Sequence, residues 1–436
     1  MNNRLTILLG AGSTLDLGTP NLNGMFSTQE LTEKLIRDQY PALIDPGTSY
    51  IFKHDHGVDP KISPPLKNQH FYQVPIIPLI YHSLKAHYDV VDFELMLHSI
   101  EQLLTFSDST RYFKPGDIIR YPLASFTEIQ DRYRSLCDPL LLQETRRHFV
   151  RSIFSQIVDR VCLCGGLKNA SRNLREFFDD LKQSFLLKTF TLNYDDLVDE
   201  SLPEGFDGFD DLEPEYASNL NSSLSYLKFN PKEFMLALKS NVPLLIHLHG
   251  SVRFGDSRHC DRVVKYKTSN EALESIKNII RSTDSKHGEY LGSDPIISGL
   301  NKVAKLIHNP TPFGYYYQAF MDAIMNSNRL LVIGYGARDE HLNTWIREFV
   351  KFYGEERRVV WISKICENRI GANDHEINFL NFLAGGKPDF KEWMACEDLE
   401  EPDHFQDHGP CLRLIPSGFP FKNGEIIMKA IDYLKS

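Results

Sequence analysis

Residues 5–14 read LTILLGAGST, an apolar run that stops abruptly at a glycine turn. Residues 5–9 have the length and composition of a buried parallel strand, and residues 10–14 those of a tight strand-to-helix turn. The glycines would let the backbone approach a pyrophosphate at a helix N-terminus. A purely structural turn is the alternative, because Leu15 stands where a dinucleotide-binding fingerprint has its third glycine.

The same pattern recurs along the chain, where short apolar runs end in glycine or small polar residues. These runs are residues 186–192, 243–248, 330–333 and 359–362, with a sixth strand predicted at 412–415 and a closing helix at 424–434. Helical patterns lie between most of the runs. This alternation predicts an α/β fold, a Rossmann-like parallel sheet with helices on both faces.

The first two predicted strands are separated by far more residues than a crossover connection needs. Helical periodicity at 92–104, 140–164 and 172–185 predicts a large inserted helical subdomain. We therefore predict the first part of a Rossmann-like domain with a long loop at 1–74, the insert at 75–184, and the remainder of the domain at 185–436. Residues 44–73 and 204–223 have the composition of long loops.

The composition indicates a globular enzyme in a reducing compartment. The chain has 436 residues, 42% of them hydrophobic, and a formal net charge of −10, so direct nucleic-acid binding is not expected. Its 7 cysteines include no Cys-x-x-Cys pair, which indicates a cytoplasmic protein without a zinc ribbon. The longest apolar segment, residues 74–81, is interrupted by Pro78 and is too short to cross a membrane.

Polar residues follow the second strand, at the end where parallel sheets bind ligands. Asn193 and Asp195 are two residues apart and could face one crevice. The amide of Asn193 would then orient a hydroxyl or a water, and the carboxylate of Asp195 would face a ribose. Taken by itself, the pair is better explained as a turn or a helix N-cap.

Two histidines end the third strand. Strand alternation puts His247 and His249 on the same side, which is one feature of a metal pair. No third ligand is evident nearby in the sequence, so we expect no metal. His247 is interpreted as a hydrogen-bonded core imidazole, and His249, beside a glycine, is better placed to act as a base.

A second glycine turn follows the fourth strand. Gly334, Tyr335 and Gly336 form it, and Asp339 is predicted to cap the helix that runs to Tyr353, with a ligand contact as its second interpretation.

Together these motifs resemble the sirtuin (silent information regulator two) family, in particular the sirtuin-like domains of bacterial antiphage defence proteins. The resemblance lies in the kinds of motif that are present and in their order along the chain. The matching elements are Gly10-Ala11-Gly12-Ser13-Thr14 with Gly18-Thr19-Pro20, residues 191–195 (TLNYD), His249-Gly250, and residues 334–343.

Two departures favour NAD hydrolysis over deacylation within this resemblance. Deacylating sirtuins usually carry a four-cysteine zinc ribbon after the His-Gly motif, and the spacing is absent here. Asn21 and Asn23 also stand where those enzymes have Asp-x-Arg. The resemblance therefore implies an NAD glycohydrolase that yields ADP-ribose and nicotinamide. An NAD-dependent protein deacylase and a non-catalytic nucleotide-binding assembly subunit remain alternatives, and a non-sirtuin Rossmann oxidoreductase ranks below them.

The resemblance also implies roles for individual residues, with NAD as substrate and no metal. The catalytic residues would be Asn193 and His249. The residues that bind NAD would be Gly10, Ala11, Gly12, Ser13, Thr14, Asp195, Gly334, Tyr335, Gly336 and Asp339. Of these, Gly10, Ala11 and Gly12 would present backbone N–H groups to the phosphates.

The resemblance extends to partners. It implies NAD depletion in antiviral defence, a homo-oligomer, and control by a HerA-like ATPase or, as a second choice, a short Argonaute. The arginines Arg146, Arg147 and Arg151 on one predicted helix are interpreted as a solvated face, with a contact to an acidic partner as the alternative.

Overall fold

The structure is a computed structural model of the chain. It describes residues 3–15, 28–39, 76–109, 139–163, 167–214, 225–257, 260–272, 302, 310–363, 375–385, 406–407, 411–415 and 424–436. The Gly18-Thr19-Pro20 element, Asn21 and Asn23, and the loop predicted at residues 44–73 lie outside these residues.

The described strands form two sheets. They are β1 (Arg4–Leu9), β2 (Leu186–Thr191), β3 (Phe209–Pro214), β4 (Ser225–Phe229), β5 (Leu244–His247), β6 (Phe254–Ser257), β7 (Cys260–Tyr266), β8 (Arg329–Ile333), β9 (Arg358–Ile362), β10 (Gln406–Asp407) and β11 (Leu412–Ile415). The larger sheet has the order β10-β11-β9-β8-β1-β2-β5, with six parallel strands and β10 antiparallel at one edge. Helices surround it, which confirms the predicted α/β Rossmann-like fold.

The six parallel strands begin and end within one residue of the predicted positions. Their sequences are mainly apolar because both faces of the sheet are covered, and even Lys188 and Thr189 in β2 are buried. In β1, for example, Leu5, Ile7, Leu8 and Leu9 are all fully buried. On one face, the ring of Phe190 packs edge-on against Phe320, with 5.2 Å between ring centroids.

The order of the strands reverses between β1 and β8. From β1 the chain continues to β2 and β5 on one side, and it later returns to β8, β9 and β11 on the other. Four adjacent strands end level, because Leu9 pairs with both Thr191 and Ile333, and Thr191 pairs with His247. In open parallel sheets, ligands bind at such a reversal, beyond the carboxyl ends of the strands.

Helices lie at each of the three segments with predicted helical periodicity, although the third runs from Leu167 to Lys182 and not from 172 to 185. The described helices are Gly12–Leu15, Thr28–Gln39, Ile76–Lys85, Phe93–Ser109, Pro139–Leu163, Leu167–Lys182, Leu197–Ser201, Pro231–Lys239, Tyr315–Met325, Glu340–Tyr353, His375–Leu383 and Gly424–Lys435, with a π turn at Pro310–Gly314 and a 3-10 turn at Gly354–Glu356. The closing helix is therefore confirmed. No helix in the described part of the chain has both the length and the apolarity needed to cross a membrane.

A small antiparallel sheet with the order β3-β4-β7-β6 corrects one prediction. Residues 204–223 were expected to form a long loop, but β3 (Phe209–Pro214) lies within them. Its sequence, FDDLEP, is acidic and contains proline, so it lacks the apolar alternation that predicts a strand. The strand forms by pairing with β4, a tertiary contact that local sequence does not encode.

The chain divides into two compact units. One comprises Met1–Met25, Ile157–Ile297 and Val303–Ser436, and the other comprises Phe26–Gln156 and Ser298–Lys302. The first unit contains both sheets and also the helix Leu167–Lys182, which the predicted boundaries put in the insert. The predicted domain boundaries stay a prediction.

Arg146, in the second unit, corrects the interpretation of a solvated arginine face. It is buried, and its guanidinium pairs with Glu101, with 2.7 Å between Nη2 and the carboxylate. A buried charge needs such a partner.

Candidate active site

Two glycine turns pack against each other where the strand order reverses. The N–H of Gly10 donates to the carbonyl of Ile333 (2.8 Å), and the N–H of Gly12 donates to the carbonyl of Gly334 (3.0 Å). A Cβ on Gly334 would lie 2.2 Å from the backbone nitrogen of Ser13, and its φ of +63° is in the left-handed region. Only glycine fits this contact without strain.

These hydrogen bonds correct one predicted role. We expected Gly10, Ala11 and Gly12 to present N–H groups to phosphates, but those of Gly10 and Gly12 are used within the protein. The two glycines instead allow the turns to approach closely, which is the packing role that glycines also have in dinucleotide-binding folds. Ala11 is exposed between them.

Asn193 is joined to the first glycine turn. Its side-chain amide donates to Ser13 Oγ (3.0 Å), and that hydroxyl donates to the carbonyl of Gly10 (2.7 Å). The N–H of Asn193 donates to Oγ1 of Thr191 (3.1 Å), the last residue of β2. The side chain is buried. The structure thus brings the predicted residues Asn193 and Ser13 together.

His247 holds the backbone of Asn193 from behind. Its Nδ1 lies 3.0 Å from the carbonyl oxygen of Asn193, and its Nε2 lies 2.7 Å from Oδ2 of Asp199. Both ring nitrogens face acceptor oxygens, so both contacts are hydrogen bonds when both nitrogens carry a proton. Burial alone would lower the pKa of His247, but the charge and hydrogen bond of Asp199 raise it. The interpretation of His247 as a hydrogen-bonded core imidazole is confirmed.

Asp199 is the centre of a buried charge cluster that sequence reasoning missed. Lys265 Nζ lies 3.1 Å from Asp199 Oδ1 and 2.5 Å from Asp207 Oδ2, and Arg253 lies 3.2 Å from Asp199 Oδ1. Burial opposes ionisation of Asp199, but Lys265, His247 and Arg253 together hold its pKa well below the usual range. The cluster links the small sheet to the backbone that carries Asn193.

Asp195 forms a turn and is buried. Its Oδ1 accepts the N–H of Leu197 (3.2 Å), as expected for an Asp that precedes a helix. Burial and the nearby Asp196 raise the pKa of Asp195 to about 6, although the Leu197 hydrogen bond acts in the opposite direction. Carboxyl groups with a raised pKa are frequent at functional sites.

His249 lies two residues beyond the point where β5 pairs with β2, as Asn193 does on the neighbouring strand. It is buried, and its Nε2 is 3.5 Å from Oδ1 of Asp339. The ring of His341 is also close, with 6.1 Å between ring centroids. The sequence suggested no third ligand near the histidines, but the structure places Asp339 and His341 beside His249.

Asp339 lies at the predicted N-cap position of the helix Glu340–Tyr353, but its side chain makes no capping hydrogen bond. The predicted N-cap position is therefore confirmed, but the side chain does not supply the cap. The carboxylate lies near His249 instead. The spacing Asp339-x-His341 was the signal in the sequence for this grouping, because it puts two potential metal ligands within one helical turn.

The second glycine turn is stabilised internally. The hydroxyl of Tyr335 lies 2.9 Å from Oδ1 of Asn343 and 3.1 Å from the carbonyl oxygen of Asp339. The amide of Asn343 donates to the carbonyl of Ala337 (2.8 Å), a residue with a φ of +51°. Tyr335 is buried, so its evident role is to shape this loop, whereas Gly336 has open space where a Cβ would lie.

Residues 188–377 match the SIR2-like domain family. The matched part covers Asn193, His249 and the turn at Gly334, but it does not reach the first glycine turn. The match supports a relationship to the sirtuin-like family. Domains of this family are typically NAD-dependent enzymes with NAD as substrate. A search of curated proteins found no match.

Proposed function

We propose that the protein is an NAD glycohydrolase that uses the strand ends of β8, β1, β2 and β5. The observation that carries this proposal is the placement of Asn193 and His249 at equivalent positions beyond two adjacent strands, with the amide of Asn193 joined to Ser13. NAD would extend from the glycine turns, near exposed Ala11, to the two side chains. The SIR2-like match supports NAD as the substrate.

The reaction breaks the bond between the ribose C1′ and the nicotinamide nitrogen. The electron pair of that bond stays on nicotinamide, which is cationic before cleavage and leaves neutral, so no general acid is needed. Water forms the new bond to C1′ and loses one proton. The products are ADP-ribose, nicotinamide and that proton.

Each predicted catalytic side chain has a task in this reaction. The amide of Asn193, held from both its side chain and its backbone, would position the ribose or the water. His249 would accept the proton, and the nearby carboxylate of Asp339 would favour the imidazolium that forms. Asp195 would help to fix the turn that carries Asn193.

Nicotinamide release from purified protein and NAD tests the proposal. We expect release by the wild type, and a fall of about 10²- to 10⁴-fold for His249→Ala, as for the loss of a general base. Asn193→Ala should cost about 10²-fold through lost positioning. The matched control is His87→Ala, since His87 is exposed and lies in the other unit. Equal release from all four proteins contradicts the assignment.

The alternatives give different products. A deacylase would release acetyl-ADP-ribose, and only when an acetylated peptide is present. A non-catalytic assembly subunit would bind NAD in calorimetry and release no nicotinamide, even with its partner.

We also propose that the activity serves antiphage defence by NAD depletion, with the chain as a homo-oligomer controlled by a HerA-like ATPase. Co-expression with a HerA-like ATPase tests this. Cellular NAD should fall on infection with wild type and stay unchanged with His249→Ala.

A further inference from the structure

Three potential metal ligands converge beside the strand ends. His249 comes from the end of β5, and Asp339 and His341 come from the start of the helix Glu340–Tyr353. One ligand atom from each residue lies within 4.8 Å of the other two. Two imidazoles and one carboxylate are a donor set that Zn²⁺ takes in catalytic sites, where a fourth position holds water or another ligand.

The spacing of these atoms fits a shared ion better than a hydrogen bond. His249 Nε2 and Asp339 Oδ1 are 3.5 Å apart. Hydrogen bonds between N–H and oxygen have donor–acceptor distances of roughly 2.7–3.2 Å. Two ligands of a tetrahedral zinc ion, with bonds of about 2.0–2.2 Å, lie about 3.4 Å apart.

His341 also has the outer partner that a metal-binding histidine usually has. Its Nε2 lies 2.5 Å from the hydroxyl of Tyr317, which is buried on the helix Tyr315–Met325. Such a hydrogen bond fixes the orientation and tautomer of a ligating imidazole. His249 is also buried, so two of the three side chains are held rigidly.

We propose that His249, Asp339 and His341 form a binding site for a divalent transition metal of the zinc type. A bound ion would also affect NAD hydrolysis, an inference that rests on the proposed function. The ion occupies the lone pair with which His249 would accept a proton, so metal binding switches NAD hydrolysis off. The site then acts as an inhibitory metal switch.

Calorimetry with zinc chloride on the metal-free full-length protein tests the binding. We expect the wild type to bind one zinc ion per chain. His341→Ala should bind zinc at least tenfold more weakly than the wild type does. Tyr317→Phe should bind it about tenfold more weakly, because the outer hydrogen bond to His341 is lost. His87→Ala, which removes an exposed histidine outside the cluster, should bind as the wild type does. Cobalt(II) gives a second readout, because a tetrahedral complex absorbs strongly in the visible range.

Absence of stoichiometric binding by the wild type overturns the site, whatever the variants do. Equal affinity in wild type and His341→Ala also overturns it, provided that circular dichroism shows both proteins folded.

A separate activity assay tests the switch. Zinc should inhibit nicotinamide release by the wild type, a chelator should restore it, and His341→Ala should remain active in zinc. Zinc binding without NAD hydrolysis, both in the presence and in the absence of the proposed ATPase, would contradict the proposed function and leave the metal site standing. Hydrolysis that zinc does not affect, with binding intact, would overturn the switch alone.

Discussion

Replacing Asp195 by asparagine should stabilise the protein at neutral pH and have little effect in acid. The side chain is buried, and burial together with Asp196 raises its pKa from 3.8 to about 6. Asparagine keeps the oxygen that accepts the N–H of Leu197 and carries no charge. The substitution thus removes the cost of a buried carboxylate and retains the turn.

The magnitude follows from the two pKa values. The unfolded chain releases this proton near pH 3.8 and the folded chain near pH 6, so the folded state binds more protons between them. Stability therefore falls as pH rises through this window, and the full cost is present above it. A difference of about two pKa units corresponds to about 3 kcal/mol at pH 7.

Urea unfolding followed by circular dichroism at pH 7 and pH 4 measures this effect. Asp195→Asn should exceed the wild type by up to about 3 kcal/mol at pH 7, and most of the gain should vanish at pH 4. The control Asp89→Asn, at an exposed side chain, should change stability by less than about 0.5 kcal/mol at either pH. An equal gain at both pH values, or a loss at pH 7, would refute the reasoning.

Two further substitutions, each with a matched control substitution, test the packing and the charges around the site. Gly334→Ala should cost at least about 2 kcal/mol, because its φ is +63° and a Cβ would meet Ser13, whereas Gly336→Ala, with open space, should be near neutral in thermal unfolding. Asp199→Asn should lower the free energy of unfolding in urea by about 3–5 kcal/mol, because it removes the negative charge that faces the buried cations Lys265 and Arg253. Asp179→Asn, which breaks an exposed pair with Lys182, should cost under about 1 kcal/mol, and similar losses for the two aspartates would contradict the cluster's importance.

The sequence predicts the large sheet well because its parallel strands are short, mainly apolar runs of ordinary strand length. Both faces of such a strand are buried, so its composition alone identifies it. The strand ends then follow from topology, since parallel carboxyl ends meet at one edge. For this reason the sequence alone assigns Asn193, His249 and the Gly334 turn to one region.

Contacts between distant segments could not be predicted in the same way. Asp199 and Lys265 are 66 positions apart and lie in segments without a recognisable motif, so their pairing depends on how the small sheet packs. The acidic strand β3 is determined by its partner rather than by its own residues. The engaged N–H groups of Gly10 and Gly12 likewise depend on the approach of the second turn, which no spacing in the first turn encodes.

The most direct test of the central claim is quantification of nicotinamide and ADP-ribose from NAD by wild type, Asn193→Ala and His249→Ala, each with and without the proposed ATPase partner. The account predicts equal amounts of the two products from the wild type, and losses of about 10²-fold or more in both variants. No nicotinamide from the wild type under either condition, or undiminished release from the variants, would contradict it.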